Sequence, residues 1–222
     1  MDIEYDAVIL ADGSFPVEGH ALDVLNNAKY LCCCDSAGME MVRRGRVPDA
    51  IVGDGDSMTE EFMEEYRDII HIVSEQEYND LTKSTQHVAR HLRKSISDRP
   101  IRIAYLGCTG KREDHTLGNI SLMAYYMQAF SIEPYMLTDY GIFMPASGTC
   151  TFPSAPRIQV SIFNMDCTEL SSTGLRWASY PYRQWWQGTL NEAVGDSFTL
   201  CGNGTYIVYQ TYLPKTQKPA GE

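Results

Sequence analysis

Through residue 140 or so, short apolar runs alternate with stretches whose apolar residues recur at helical spacing. The runs "YDAVILA" (5–11), "YLCCC" (30–34), "DAIVG" (49–53), "IIHIV" (69–73), "IRIAYLG" (101–107) and "EPYMLT" (133–138) read as strands. Between them, residues 19–29 put Leu22, Leu25 and Ala28 on one helical face. Residues 36–45, 59–67, 80–96 and 114–130 also read as helices. Gly45 stops the first of these, and Asp114 is placed as the N-cap of the last. Strands alternating with helices predict a mostly parallel sheet covered on both faces.

Beyond residue 140 the texture changes. "RIQVSIFNM" (157–165), "DSFTLCG" (196–202) and "TYIVYQTYL" (205–213) are strand-like, with Gly, Pro and Asn between them and no strong helix. This predicts an α/β domain over 1–140, followed by an all-β domain, a sandwich, over 141–222. The boundary falls in "DYGIFMPASG" (139–148), which carries turn residues. The polar tail "PKTQKPAGE" is expected to fray.

Composition narrows the partners. The 222 residues carry a formal net charge of −11, which argues against nucleic acid or an anionic membrane as a partner. A phosphorylated ligand stays open, because a bound cation reverses the local sign. None of the seven cysteines forms C-x-x-C, and most sit in apolar runs, so reduced, buried thiols in a cytoplasmic protein are expected. "MDIEYDAVIL" is acidic where a secretory leader is basic, and no apolar run approaches a membrane span.

The candidate chemistry lies at strand ends, where open parallel sheets bind their ligands. Asp35 follows "YLCCC", Asp54 and Asp56 follow "DAIV", Glu77 and Asp80 follow "IIHIVSEQ", and Asp114 follows "IRIAYLG" through a turn. Each could simply cap a turn or helix. If they converge, two carboxylates ~6 Å apart at an effective dielectric of ~20 repel by about 3 kcal/mol. A hard divalent cation removes that cost. Magnesium takes one or two carboxylates and completes its shell with water and substrate phosphates. In "GCTGKREDH" (107–115), glycines, Lys111 and Arg112 precede a helix start, which suits a phosphate as well as it suits a solvated turn. Its spacing is not that of Walker A. "HVARH" (87–91) lacks the glutamate of a zincin helix and is expected to be solvated.

In order, these pieces resemble the thiamin pyrophosphokinase family. That pattern has an aspartate after the second strand, G-D-x-D-S, D-x-T-K, G-x-x-G-R-x-D-H, and late in the chain T-G-L-x-W and S-N. Here stand Asp35 in "CCDSAG", "GDGDS" (53–57), "QEYNDLTKS" (76–84), "GCTGKREDHTLGN" (107–119), "STGLRW" (172–177) and "LNEAVGD" (190–196). The resemblance implies transfer of diphosphate from ATP to the hydroxyl of thiamin, giving thiamin diphosphate and AMP. It implies Mg²⁺ on Asp54, Asp56 and Asp80, with Asp35 close by. Gln76, Lys83, Arg112 and Asp114 would contact the nucleotide or order the site, with Asp54, Asp56, Asp80 and Arg112 as the catalytic set. Asn191 would touch thiamin. A homodimer with ATP and thiamin as its ligands is implied as well.

The chain departs from the pattern at Ser36 and Ala37, where glycines are common, at Asn79 for threonine, and at Leu190 for the serine of S-N. The aromatic segment "ASYPYRQWWQG" (178–188) brings Trp185 and Trp186, which could stack on a thiamin ring or fill the sandwich core or a dimer interface. Three other readings fit parts of the pattern. The same transfer could use a hydroxymethylpterin as acceptor. "DGDS" could be the nucleophile motif of a Mg-dependent phosphatase, although such enzymes place it after the first strand. The fold could also be a binding module without catalysis.

Overall fold

Val8, Ile9, Cys32, Cys33, Ile51 and Val52 are all buried, although they alternate across their strands. Both faces of those strands are therefore covered, and the runs are apolar throughout for that reason. The computed structural model describes residues 3–215. It divides into one unit over Ile3–Asp139 and a second that begins at Tyr140.

In the first unit the strands are β1 (Ala7–Leu10), β2 (Leu31–Cys34), β3 (Ala50–Gly53), β4 (Ile70–Ile72), β5 (Ile101–Leu106) and β6 (Ile132–Leu137). They pair in parallel in the order β6-β5-β1-β2-β3-β4. The order reverses between β1 and β5, and the switch opens a crevice beyond their carboxyl ends. The helices are α1 (Gly19–Asn26), α2 (Asp35–Arg43), α3 (Glu60–Glu65), α4 (Asp80–Leu92) and α5 (Glu113–Phe130). Right-handed crossovers put α1 and α2 on one face and α4 and α5 on the other. Accordingly α4 packs over β1 to β3 and against α5.

Each expected helix and strand of this unit is present, with one correction. Asp114 is not the N-cap of α5. Arg112 holds that position and makes no side-chain cap bond, while Asp114 lies in the first turn. There its carboxylate accepts the His115 N–H at 2.9 Å and still meets the positive end of the helix.

The second unit is all-β, as expected, and its strands pair antiparallel. Its strands are β7 (Gly141–Pro153), β8 (Ile158–Asn164), β9 (Leu170–Thr173), β10 (Asn191–Glu192) and β11 (Ser197–Pro214), with a 3-10 turn at Trp185–Gly188. The long β7 and β11 pair with each other along their length. Two further ladders use β11: its first half holds β9, and its second half holds β8, which in turn holds β10.

Two local expectations change here. Residues 139–148 are not a turn-rich connection, since β7 begins at Gly141. Residues 196–202 and 205–213 are one strand with a register shift between Cys201 and Thr205. Outside the ladder, the Asn203 side-chain Oδ1 accepts the Thr168 and Glu169 N–H groups at 2.9 and 3.0 Å, and "GNG" bulges instead of reversing the chain. The tail expected to fray lies outside the described residues from 216 onward.

Candidate active site

The crevice at the switch point is a cavity of about 370 Å³, lined among others by Asp12, Asp35, Asp80, Lys111 and Arg112. Two loops form its rim. The one after β1 is joined to the one after β5 by Gly13 N–H to the Gly107 carbonyl at 2.6 Å and Ser14 N–H to the Thr109 carbonyl at 2.7 Å. Lys111 reaches back across this seam to Asp12 at 2.8 Å. The "DGS" loop is therefore tied to the glycine-containing turn before α5. Sequence reasoning missed Asp12; the signal was a carboxylate and a glycine directly after the first strand.

Asp35 opens α2 with φ 32° and is buried. Its backbone sits in the left-handed region, a conformation that costs energy for a residue with a side chain. Gly53 makes room for it: a Cβ at 53 would lie 2.7 Å from the Asp35 Cβ. The Asp35 Oδ1 is buried without a hydrogen-bond partner. An orphaned carboxylate oxygen beside other carboxylates is the donor set that a hard cation satisfies.

Asp54 and Asp56 leave β3 through Gly55, whose φ of 86° gives the tight turn. The Asp54 Oδ1 accepts the Asp56 N–H at 3.2 Å. Asp80 opens α4 behind its N-cap, Asn79. Burial raises the Asp80 carboxyl above its ordinary range; Lys83 opposes this, and the charges of Asp54 and Asp35 add to it. The structure thus couples Asp35, Asp54 and Asp80 electrostatically, while Asp56 is exposed. Among the described residues no three His, Cys, Asp or Glu side chains are placed to hold a metal by themselves. Magnesium needs fewer, because water and phosphate complete its shell.

The cations differ in setting. Lys83 is 4% exposed, and its ammonium makes one long contact, 3.4 Å to Asp80. Arg112 is exposed and binds Asp114 through two N–H groups at 3.1 and 2.6 Å. The guanidinium holds the Asp114 carboxyl down at about 2. Gln76 is exposed and donates to the Ser74 carbonyl at 3.4 Å.

Asn191 lies in the second unit, buried, with its amide turned inward. It accepts the Trp177 N–H at 3.1 Å and donates to the Trp177 carbonyl at 2.8 Å. Its side chain fixes the backbone of Trp177, whose indole is 54% exposed. Leu190 before it holds φ 65° and is 69% exposed. Trp185 packs edge-on against Phe163, and Trp186 is 72% exposed rather than in a core.

Sequence profiles of two domains match these same two units. Residues 21–135 match the thiamin pyrophosphokinase catalytic domain, and residues 141–209 match the thiamin pyrophosphokinase substrate-binding domain. The chain belongs to the thiamin pyrophosphokinase family. Solved structures of thiamin pyrophosphokinases share its fold. The Candida albicans protein is 17% identical with TM-score 0.75, covering 93% of this chain and 89% of that one. The yeast protein is 16% identical with TM-score 0.74, covering 95% and 87%. The Bacillus subtilis protein is 18% identical with TM-score 0.70, covering 92% and 98%. No curated protein matches the chain by sequence. These findings support neither the pterin nor the phosphatase reading. Among the described residues, no helix of this thiamin pyrophosphokinase family member is long and apolar enough to cross a membrane.

Of the "HVARH" histidines, His91 is exposed as expected, and the expectation is corrected at His87. His87 is half-buried, with its ring centroid 4.3 Å from that of His71 and its Nε2 3.2 Å from the Tyr30 hydroxyl. Burial, with the positive potential of His71, His91 and Arg90, holds its imidazole down at about 4, against an ordinary 6.5. Between those values the unfolded chain takes a proton that the folded chain resists. His87 therefore contributes stability that is complete above pH 6.5 and is lost as pH falls toward 4. Solvent near the half-exposed ring limits the loss to about 1–2 kcal/mol. From about pH 7 to about 4.5, Tm should fall more steeply in the wild type than in His87→Gln. Parallel curves would contradict this.

Proposed function

We propose that the chain moves the diphosphoryl group of Mg-ATP onto the hydroxyethyl oxygen of thiamin, releasing AMP and thiamin diphosphate. The observation that carries this reading is a single cavity lined both by the buried carboxylate of Asp35, with its unpartnered oxygen, and by Asp80, Lys111 and Arg112. Such a site takes a polyphosphate together with a hard cation.

In this reading Mg²⁺ would be held by carboxylates drawn from Asp54, Asp56 and Asp80, with Asp35 beside them and water and phosphate completing its shell. Held there, the cation would supply charge neutralisation for phosphate groups. Lys83 supplies a desolvated positive charge next to Asp80. Arg112, aimed by Asp114, takes negative charge that develops on the phosphates, and Gln76 contacts the nucleotide. Asn191 serves the thiamin end by fixing Trp177, whose exposed indole suits a cationic heterocycle.

The exposed Trp177, Trp186, Leu190 and Val194 of the second unit support a homodimer. Seven unpaired cysteines support a reducing, cytoplasmic setting. Incubation with Mg-ATP and either thiamin or a hydroxymethylpterin tests the acceptor. Thiamin diphosphate is the expected product. Conversion of the pterin but not of thiamin would overturn the reading.

A further inference from the structure

Asp80 and Lys83 sit on the first turn of α4, while Lys111 and Arg112 sit on the turn before α5. Those two turns are separate in sequence, so a common ligand needs them held in register. One side of α5 does this. Asn119 and Tyr126 are seven residues apart and so lie on one side of the helix, about two turns from each other. Asn119 Nδ2 donates to the Cys108 carbonyl at 2.9 Å, in the loop that leads to Lys111. The Tyr126 hydroxyl lies 2.7 Å from Thr82 Oγ1.

The direction of this second link follows from hydrogen counting. Thr82 donates its own hydroxyl hydrogen to Asn79 Oδ1 at 2.8 Å. Toward Tyr126 it can then only accept, so the tyrosine donates. Asn79 Oδ1 also accepts the Thr82 N–H at 3.0 Å and caps α4. The relay Tyr126 → Thr82 → Asn79 thus ends on the residue immediately before Asp80. Tyr126 and Thr82 are 0% and 1% exposed, so no water replaces a bond lost there.

We propose that α5 is a bracket between the two turns, with Tyr126 as the positioning residue that fixes the start of α4 and hence Asp80 and Lys83. This rests on the site being a Mg-nucleotide site. A control is built into the same layer. Tyr105 is equally buried and stacks on Tyr126 with centroids 5.7 Å apart. Its hydroxyl meets Thr85 at 3.1 Å, past the cap, where Thr85 donates to the Leu81 carbonyl.

The test is calorimetric binding of a non-hydrolysable ATP analogue with Mg²⁺, read beside Tm, for wild type, Tyr126→Phe, Tyr105→Phe and Thr82→Val. Tyr126→Phe and Tyr105→Phe should lose similar Tm. Only Tyr126→Phe and Thr82→Val should weaken analogue binding, by about fivefold or more. The double variant Tyr126→Phe/Thr82→Val should bind no more weakly than Thr82→Val, because both break one relay. If Tyr126→Phe does not fold, Thr82→Val against Tyr105→Phe decides. Equal binding by wild type and the relay variants overturns the inference alone, as does an equal weakening in Tyr105→Phe. A wild type that binds no analogue overturns the nucleotide reading and the inference with it.

Discussion

Asp54→Asn and Asp56→Asn should each lower turnover by about 10²-fold or more at saturating Mg²⁺, with the fold unchanged. The substitution keeps shape and removes charge. In Asp54→Asn the side-chain carbonyl can still accept the residue 56 N–H, now 3.2 Å from Asp54 Oδ1, so the turn after β3 keeps its local bond. Neither position belongs to the buried core, so little stability is at stake. In Asp54→Asn, removing a negative charge near Asp80 also eases the repulsion that helps to raise its carboxyl. Activity and stability should therefore separate: kcat collapses while Tm holds or rises slightly. Near-normal kcat in both variants would refute their assignment to the metal.

Lys83→Met should lower kcat/KM by about 10²- to 10³-fold without lowering Tm. Lys83 is 4% exposed, and its ammonium has one contact, 3.4 Å from Asp80. A buried cation with two donors left over carries a desolvation penalty that its single partner does not repay. Methionine fills much the same volume without that penalty. Asp80 keeps a side-chain exposure of 34%, so the change leaves no fully buried lone charge behind. On the proposed reading a negatively charged ligand offsets that penalty. A marked fall in Tm with activity intact would show instead that Lys83 serves the fold.

Much of this arrangement was legible in the sequence, and the exceptions share a cause. The parallel unit could be read because strands covered on both faces must be continuously apolar, as "AVIL" and "LCCC" are. The "GDGDS" turn could be read because only a glycine passes easily through φ 86°. Asp114 was misplaced by two residues because "KRED" offers several polar starts, and the backbone at Arg112 decides among them. Turn residues at 139–148 hid β7, since pairing with β11 along its length outweighs local propensity. The unpartnered Asp35 oxygen was invisible because the close approach of Gly53 comes from another strand. The His87 environment depends on His71, which β4 brings from sixteen residues upstream. Asn191 stood out only by its place in the motif, and the turn of its amide inward onto the Trp177 backbone was not legible.

The central claim is that ATP is cut between its α and β phosphates for transfer to thiamin, and the adenine product tests it most directly. With thiamin and Mg-ATP, chromatographic resolution of the nucleotides should show AMP formed one-to-one with thiamin diphosphate. ADP formed with thiamin monophosphate would contradict it.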